Sequence, residues 1–172
     1  MPRPTAAQLI AHFGLEELPG EGGFFCQTYQ AAQKIPAGAL PDRYPGEKPF
    51  STAIYYLITP AEDGFSAIHK LPTAEVFHFY LGDPVETLLL FPGGDSRRVV
   101  LGRDVLNQQS VQHVVPRDVW QGSRLLPGGE YALLGTTMAP GYTDEDFILG
   151  QRDHLLEEFP DQAALIHALT RV

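Results

Sequence analysis

The sequence predicts an all-β fold, a sandwich or barrel flanked by short N- and C-terminal helices. Strand-like segments fill the middle of the chain, glycine, proline and aspartate punctuate them, and helical periodicity is confined to the two ends. Many short strands joined by tight turns belong to layered or closed β architectures rather than to an α/β sheet.

The elements follow in order. Thr5 and Gln8 have the spacing of a capping box, Leu9, Ile10 and Phe13 form one apolar stripe, and Gly14 is a stop signal, so Thr5–Phe13 reads as a helix. Leu18–Gly23 is a turn-rich link. From there the strand-like segments are Phe24–Gln30, Thr52–Ile58, Phe65–His69, Glu75–Leu81, Val85–Phe91, Arg97–Leu101, Val111–Val115 and Tyr131–Thr137. Pro60, Gly64, Gly82-Asp83-Pro84, Pro92-Gly93-Gly94 and Pro127-Gly128-Gly129 supply turns. Ala31–Phe50, with Pro36, Pro41, Pro45 and Pro49, is the longest irregular stretch, either a cover over a pocket or a mobile surface loop. Thr143-Asp144-Glu145-Asp146 caps a turn leading to Phe147 and Leu149. Arg152–Phe159 and Asp161–Thr170 read as two helices divided by Pro160. With no internal repeat, the expectation is a single domain over 1–172: a helix at 5–13, a barrel over about 24–137 and a helical tail over about 143–170.

Bulk properties exclude several classes. The 172 residues carry 21 acidic and 12 basic side chains, a formal net charge of −9, which disfavours a nonspecific nucleic-acid surface and a polybasic membrane patch. Cys26 is the only cysteine, so neither an intrachain disulfide nor a multi-thiolate zinc site is available. The N-terminal residues lack the apolar run of a signal peptide, and no segment is long and apolar enough to span a bilayer. A cytoplasmic location is expected.

Chemistry concentrates in Gly64–Gly82, which places His69, Glu75 and His78 among strand-forming aromatics, and in Val114–Gln121. The pattern Gly64, His69, Glu75, Gly82 resembles the first motif of the cupin superfamily, with Leu71 where the motif has its second histidine. Pro116, Asp118 and Gln121 stand where the second motif has proline, glycine and histidine. The segments GEGGFF (20–25), STAIYYLI (51–58), EVFHFYLG (75–82), VPRDVWQ (115–121) and APGYTDEDFILG (139–150) resemble more closely the Cupin_5 group, DUF985. The resemblance implies a double-stranded β-helix, or jelly-roll barrel, similar in fold to dTDP-4-keto-sugar epimerases, and a homodimer. It also implies that Glu75 points into the barrel with His69 beside it.

Strand alternation puts Glu75, Phe77 and Phe79 on one face and His78 with Tyr80 on the other. His69 is the candidate base, oriented by Glu75, with Tyr55, Tyr131 and Tyr142 as candidate acids. The plainer reading of the tyrosines is half-buried packing. Glu21, Lys70, Phe77, His78, Phe79, Trp120 and Gln121 are candidate ligand contacts, although His78 also reads as a structural histidine and Trp120 as a plug of the barrel end. The cupin pattern of three histidines and one glutamate is reduced here to His69, Glu75 and Gln121. No metal or other cofactor is favoured, and a divalent ion at those three residues is the alternative. Arg43, Arg117 and Arg124 either meet a phosphate or carboxylate or are solvated surface charges. Cys26 and His12, His113, His154 and His167 read as structural or exposed. Three functions stay open: an epimerase or isomerase acting on a carbohydrate-like or phosphorylated small molecule, a noncatalytic ligand-binding or sensor protein, and a metal-dependent enzyme.

Overall fold

The capping signal at the start of the chain forms as the sequence expects. In the computed structural model, which describes residues 3–171, helix α1 (Ala6–Phe13) begins at Thr5. The Thr5 hydroxyl accepts from the Gln8 amide, and the Gln8 side chain accepts from the Thr5 amide. Gly14 ends the helix in the left-handed region, at φ 62°.

Among the described residues thirteen strands follow: β1 (Glu16–Glu17), β2 (Phe24–Gln30), β3 (Lys34–Ile35), β4 (Lys48–Pro49), β5 (Thr52–Ile58), β6 (Ser66–Lys70), β7 (Glu75–Gly82), β8 (Val85–Leu90), β9 (Ser96–Leu101), β10 (Gln112–Val115), β11 (Trp120–Leu125), β12 (Ala132–Met138) and β13 (Ile148–Leu149). One sheet has the order β1-β2-β5-β12-β7-β10, the other β13-β6-β11-β8-β9, and β3 with β4 forms a two-stranded ribbon. The two main sheets are antiparallel throughout. Their hydrogen bonding does not close into one ring, so the barrel is a pair of facing sheets. The chain ends in α2 (Arg152–Glu158), a 3₁₀ turn (Pro160–Gln162) and α3 (Ala163–Leu169).

The sequence reading misses β11, which lies between β6 and β8 in the second sheet. Gly122, Ser123 and Arg124 dilute its β-forming character. Gly122 is there for space: a Cβ at that position would lie 2.7 Å from Ile68 Cγ1 and 3.2 Å from Ile68 Cα across the strand pair.

Three apolar clusters set the layers. α1 covers the outer face of the first sheet, with Leu9 and Leu15 on Leu57, Tyr131 and Leu133. Cys26 joins that cluster as a small apolar residue. α2 and α3 cover the outer face of the second sheet, where Leu155, Phe159, Leu165, Ile166 and Leu169 meet Ile68, Leu88 and Leu90. Between the sheets, Tyr56, Ile58, Phe77, Phe79, Val85, Leu89, Ala132 and Leu134 form the inner core.

Period-two alternation makes this interior polar at one end. Along β7 the inward residues run Glu75, Phe77, Phe79. Along the antiparallel β12 they run Leu134, Thr136, Met138, opposite Phe79, Phe77 and Glu75, and the Thr136 side chain also hydrogen-bonds Glu75. Thr52 and Ile54 on β5 repeat the change before Tyr56 and Ile58. Apolar packing thus fills one end of the sandwich, and a cavity occupies the other.

Candidate functional site

Four backbone elements converge on the polar end. The first is the Gly20–Gly23 turn. Gly22 and Gly23 take φ of 101° and 66°, and a Cβ on Gly22 would sit 2.8 Å from the Asp63 carbonyl. The Glu21 carbonyl accepts from Ala67 N at 2.8 Å and from Arg171 Nη2 at 3.1 Å, and Arg171 Nε donates to the Gly20 carbonyl at 2.9 Å. Held this way, Glu21 turns inward. Ser66 Oγ donates to its Oε1 at 2.7 Å, and its Oε2 lies 4.0 Å from His69 Nε2.

The second element is β6. Ile68 and Lys70 face outward, so His69 and Leu71 face the cavity. His69 is buried, with Nδ1 2.8 Å from the Ala67 carbonyl. A carbonyl only accepts, so Nδ1 carries the hydrogen and Nε2 presents its lone pair. Phe147 stacks on the imidazole at 5.1 Å between centroids.

β7 and β11 supply the other two groups. Glu75 is 7% exposed and accepts from Gln121 Nε2 at 2.7 Å. Burial pushes the Glu75 carboxyl up from its ordinary range, His69 opposes that, nearby Glu21 adds to it, and hydrogen bonds from Thr136 and Gln121 pull it back. Gln121 pairs with His69 across the β6–β11 register, and the same Nε2 lies 3.4 Å from His69 Nε2. Gln121 Oε1 is buried with no hydrogen-bond partner.

These groups border a cavity of about 740 Å³ between the sheets, the β3–β4 ribbon and the segment 142–147. Lys34, Pro45, Gly46, Glu47, Lys48 and Pro49 form one wall, so the proline-rich 31–50 stretch is a cover over the pocket. Lys48 is 1% exposed and reaches across to Asp146 Oδ1 at 2.5 Å and to the Thr143 hydroxyl. Tyr142 lines the cavity, and burial pushes its phenol up to about 12, with Asp144 adding to the shift, so it is protonated at neutral pH.

The structure brings His69, Glu75, Glu21 and Tyr142 to one cavity, with Gln121 behind His69 and Glu75. The other sequence candidates lie elsewhere. Tyr55 packs against Phe13 and Tyr80 outside the first sheet, because it alternates with inward Ile54 and Tyr56. Tyr131 is buried on that same outer side, with Arg3 over its ring at 4.4 Å. Phe77 and Phe79 belong to the apolar core. His78 is on the outer face, with Nε2 2.8 Å from Thr137 Oγ1, in keeping with its structural reading. Trp120 neither plugs the barrel nor lines the cavity. It packs on the helix-covered side of the second sheet with Lys70 Nζ 4.4 Å over its ring, which also keeps Lys70 outside. Sequence reasoning missed Lys48, Ser66, Thr136 and Asp146. Lys48 lies in an irregular loop, and its partner is 98 residues away, so no local pattern announces it.

The cavity is acidic. Its carboxylates are Glu21, Glu47, Glu75, Asp144 and Glu145; its cations are Lys34 and Lys48. Lys34 is paired with Glu47 at 2.5 Å, and Lys48 with Asp146. The arginines suggested as anion contacts are not in the wall: Arg43 donates to the Pro72 carbonyl, Arg117 pairs with Asp118 and Arg124 with Glu86.

The upward push on Glu75 gives a stability prediction. A carboxyl raised on folding stabilises the fold most below its unfolded pKa, and that contribution is lost as pH rises through the folded pKa. Glu75→Gln keeps an acceptor for Gln121 and removes the buried charge. It should raise stability at pH 8 by about 1 kcal/mol, within the range for relieving a buried polar penalty. The gain should vanish near pH 4. Melting curves of both proteins across that range check it, and a variant that melts lower at pH 8 than at pH 4 relative to wild type would contradict it.

Residues 7–150 match the Cupin_5 family, cupin superfamily (DUF985). The chain belongs to the Cupin_5 family. An uncharacterized protein of Saccharomyces cerevisiae is 30% identical over 95% of this chain and 86% of its own length. Two solved structures are similar throughout. A hypothetical protein from Leishmania major has a TM-score of 0.85 at 26% identity, covering 98% of this chain and 100% of that one. A Shewanella oneidensis protein has a TM-score of 0.84 at 26% identity, covering 98% and 99%.

The metal pattern that the cupin fold implies does not fit this Cupin_5 chain. Leu71 supplies no donor atom. Gln121 offers its NH₂ rather than its oxygen toward His69 and Glu75, so the oxygen ligand that the alternative metal reading needs is not presented. Among the described residues, no group of three or more histidine, cysteine, aspartate or glutamate side chains is gathered to hold a metal ion. No helix among them is long and apolar enough to cross a membrane.

Proposed function

We propose that this Cupin_5 protein binds a neutral, carbohydrate-like small molecule and isomerises or epimerises it by acid–base chemistry. The observation that carries the reading is the shared cavity: His69, whose Nε2 lone pair meets only a long 3.4 Å contact from the Gln121 amide, lines the same chamber as the protonated phenol of Tyr142. His69 takes a proton from a carbon beside a keto group, and Tyr142 returns one. Glu75 and Glu21 flank the imidazole and stabilise its charged form after the transfer. Of the three tyrosines considered from the sequence, Tyr142 is the one on the cavity wall. The wall's unpaired carboxylates and fully paired lysines argue against a phosphorylated substrate.

A deuterium wash-in screen tests this. Keto sugars, free and phosphorylated, are incubated with the protein in D₂O and read by mass spectrometry. The expected result is exchange at a carbon beside the carbonyl of a neutral sugar, with phosphorylated analogues slower by about tenfold or more, since like-charge repulsion of about 1.4 kcal/mol suffices for that. Tight binding of a sugar without exchange would replace the catalytic reading with a noncatalytic, ligand-binding one.

A further inference from the structure

Gln121 has a job that the proposed chemistry does not by itself require. His69 Nε2 and Glu75 Oε2 are both lone-pair groups, buried and directed at a common point. Two such acceptors side by side, with Glu21 Oε2 4.0 Å from the imidazole, are a start toward a cation site. What stands between them is the Gln121 amide nitrogen, 2.7 Å from one and 3.4 Å from the other. Its orientation follows from donor counting. His69 has spent its only hydrogen on the Ala67 carbonyl, so Nε2 can only accept, and the amide edge that faces it must be the NH₂. An amide nitrogen has no lone pair to give a metal. Its oxygen, which has, is turned away and left buried without a partner.

That orphaned oxygen carries a cost. A buried acceptor without a donor costs about 1–3 kcal/mol. A leucine at 121 would leave no such atom.

We infer that Gln121 is a positioning residue that replaces a metal ion: its two N–H groups organise His69 and Glu75 as a divalent cation would, and in doing so exclude one. Leu71, two residues beyond His69 on the same face, removes the other ligand position and closes the wall with hydrocarbon.

The test reads metal, not turnover. Wild type, Gln121→His, Gln121→Leu and Leu71→His are dialysed against Mn²⁺ and, separately, Zn²⁺, gel-filtered, and their metal content is measured alongside a thermal melt. Gln121→His should gain about one tightly held ion per chain through His69, Glu75 and the new imidazole, as expected for a three-ligand site. Gln121→Leu, which also removes the amide but adds no ligand atom, should gain none, so that uptake by Gln121→His is assigned to the new imidazole and not to loss of the glutamine alone. Leu71→His should gain none either, because the amide still stands between His69 and Glu75. It also keeps the proposal falsifiable if Gln121→His fails to fold. Stoichiometric uptake by wild type or by Leu71→His would overturn the inference. So would a cooperatively melting Gln121→His protein that holds no metal.

Discussion

His69→Gln should slow deuterium wash-in by about 10²–10⁴-fold, the usual contribution of a positioned general base, while KM changes by only a few fold. The amide of glutamine fills the space of the imidazole but cannot take up a proton at neutral pH. The loss should therefore appear in kcat. The reasoning rests on Nδ1 being committed to the Ala67 carbonyl, which leaves Nε2 as the basic atom. Tyr142→Phe separates the two proton transfers. If Tyr142 returns the proton, its phenylalanine variant should retain part of the wash-in and lose inverted product. Unchanged wash-in in a folded His69→Gln protein would remove His69 from the mechanism.

Lys48→Met should cost about 3–5 kcal/mol of stability, the range for stripping one partner from a buried ion pair. Lys48 is 1% exposed and Asp146 likewise 1%, so the aspartate would be left in the interior without its counter-charge. Part of the loss should return in Lys48→Met/Asp146→Leu, where both charges are gone. Recovery should be incomplete, because Asp146 also accepts from the Thr143 amide at 3.1 Å and so holds its own turn. Chemical denaturation of the two variants and wild type measures both effects. A loss below about 1 kcal/mol would mean that the pair is effectively solvated.

The pair also joins the β3–β4 ribbon to the turn that carries Phe147 onto His69. That connection explains what was legible in the sequence and what was not. Period-two patterning put Glu75, Phe77 and Phe79 on one face and His78 on the other, because one residue of slip would reverse every side chain, and the cupin resemblance chose the face that points inward. The capping box at Thr5–Gln8 was equally local and equally readable. Strand β11 was not, since its glycine reflects the approach of Ile68, a residue 54 positions earlier. Nor could sequence choose among Tyr55, Tyr131 and Tyr142, all of which sit in plausible aromatic segments. The choice depends on which side of the first sheet each falls and on how the 142–147 turn returns to it. The same limit applied to the arginines, whose partners Pro72, Asp118 and Glu86 are set by surface packing.

Arg171, near the end of the chain, holds the turn that presents Glu21. Chains emerge from the ribosome N-terminus first, so both sheets can form while this turn still lacks its fastener. The turn is therefore fastened only after every strand of the two sheets has been synthesised. A substitution or deletion at Arg171, remote from His69 in sequence, therefore acts directly on the neighbour of its imidazole.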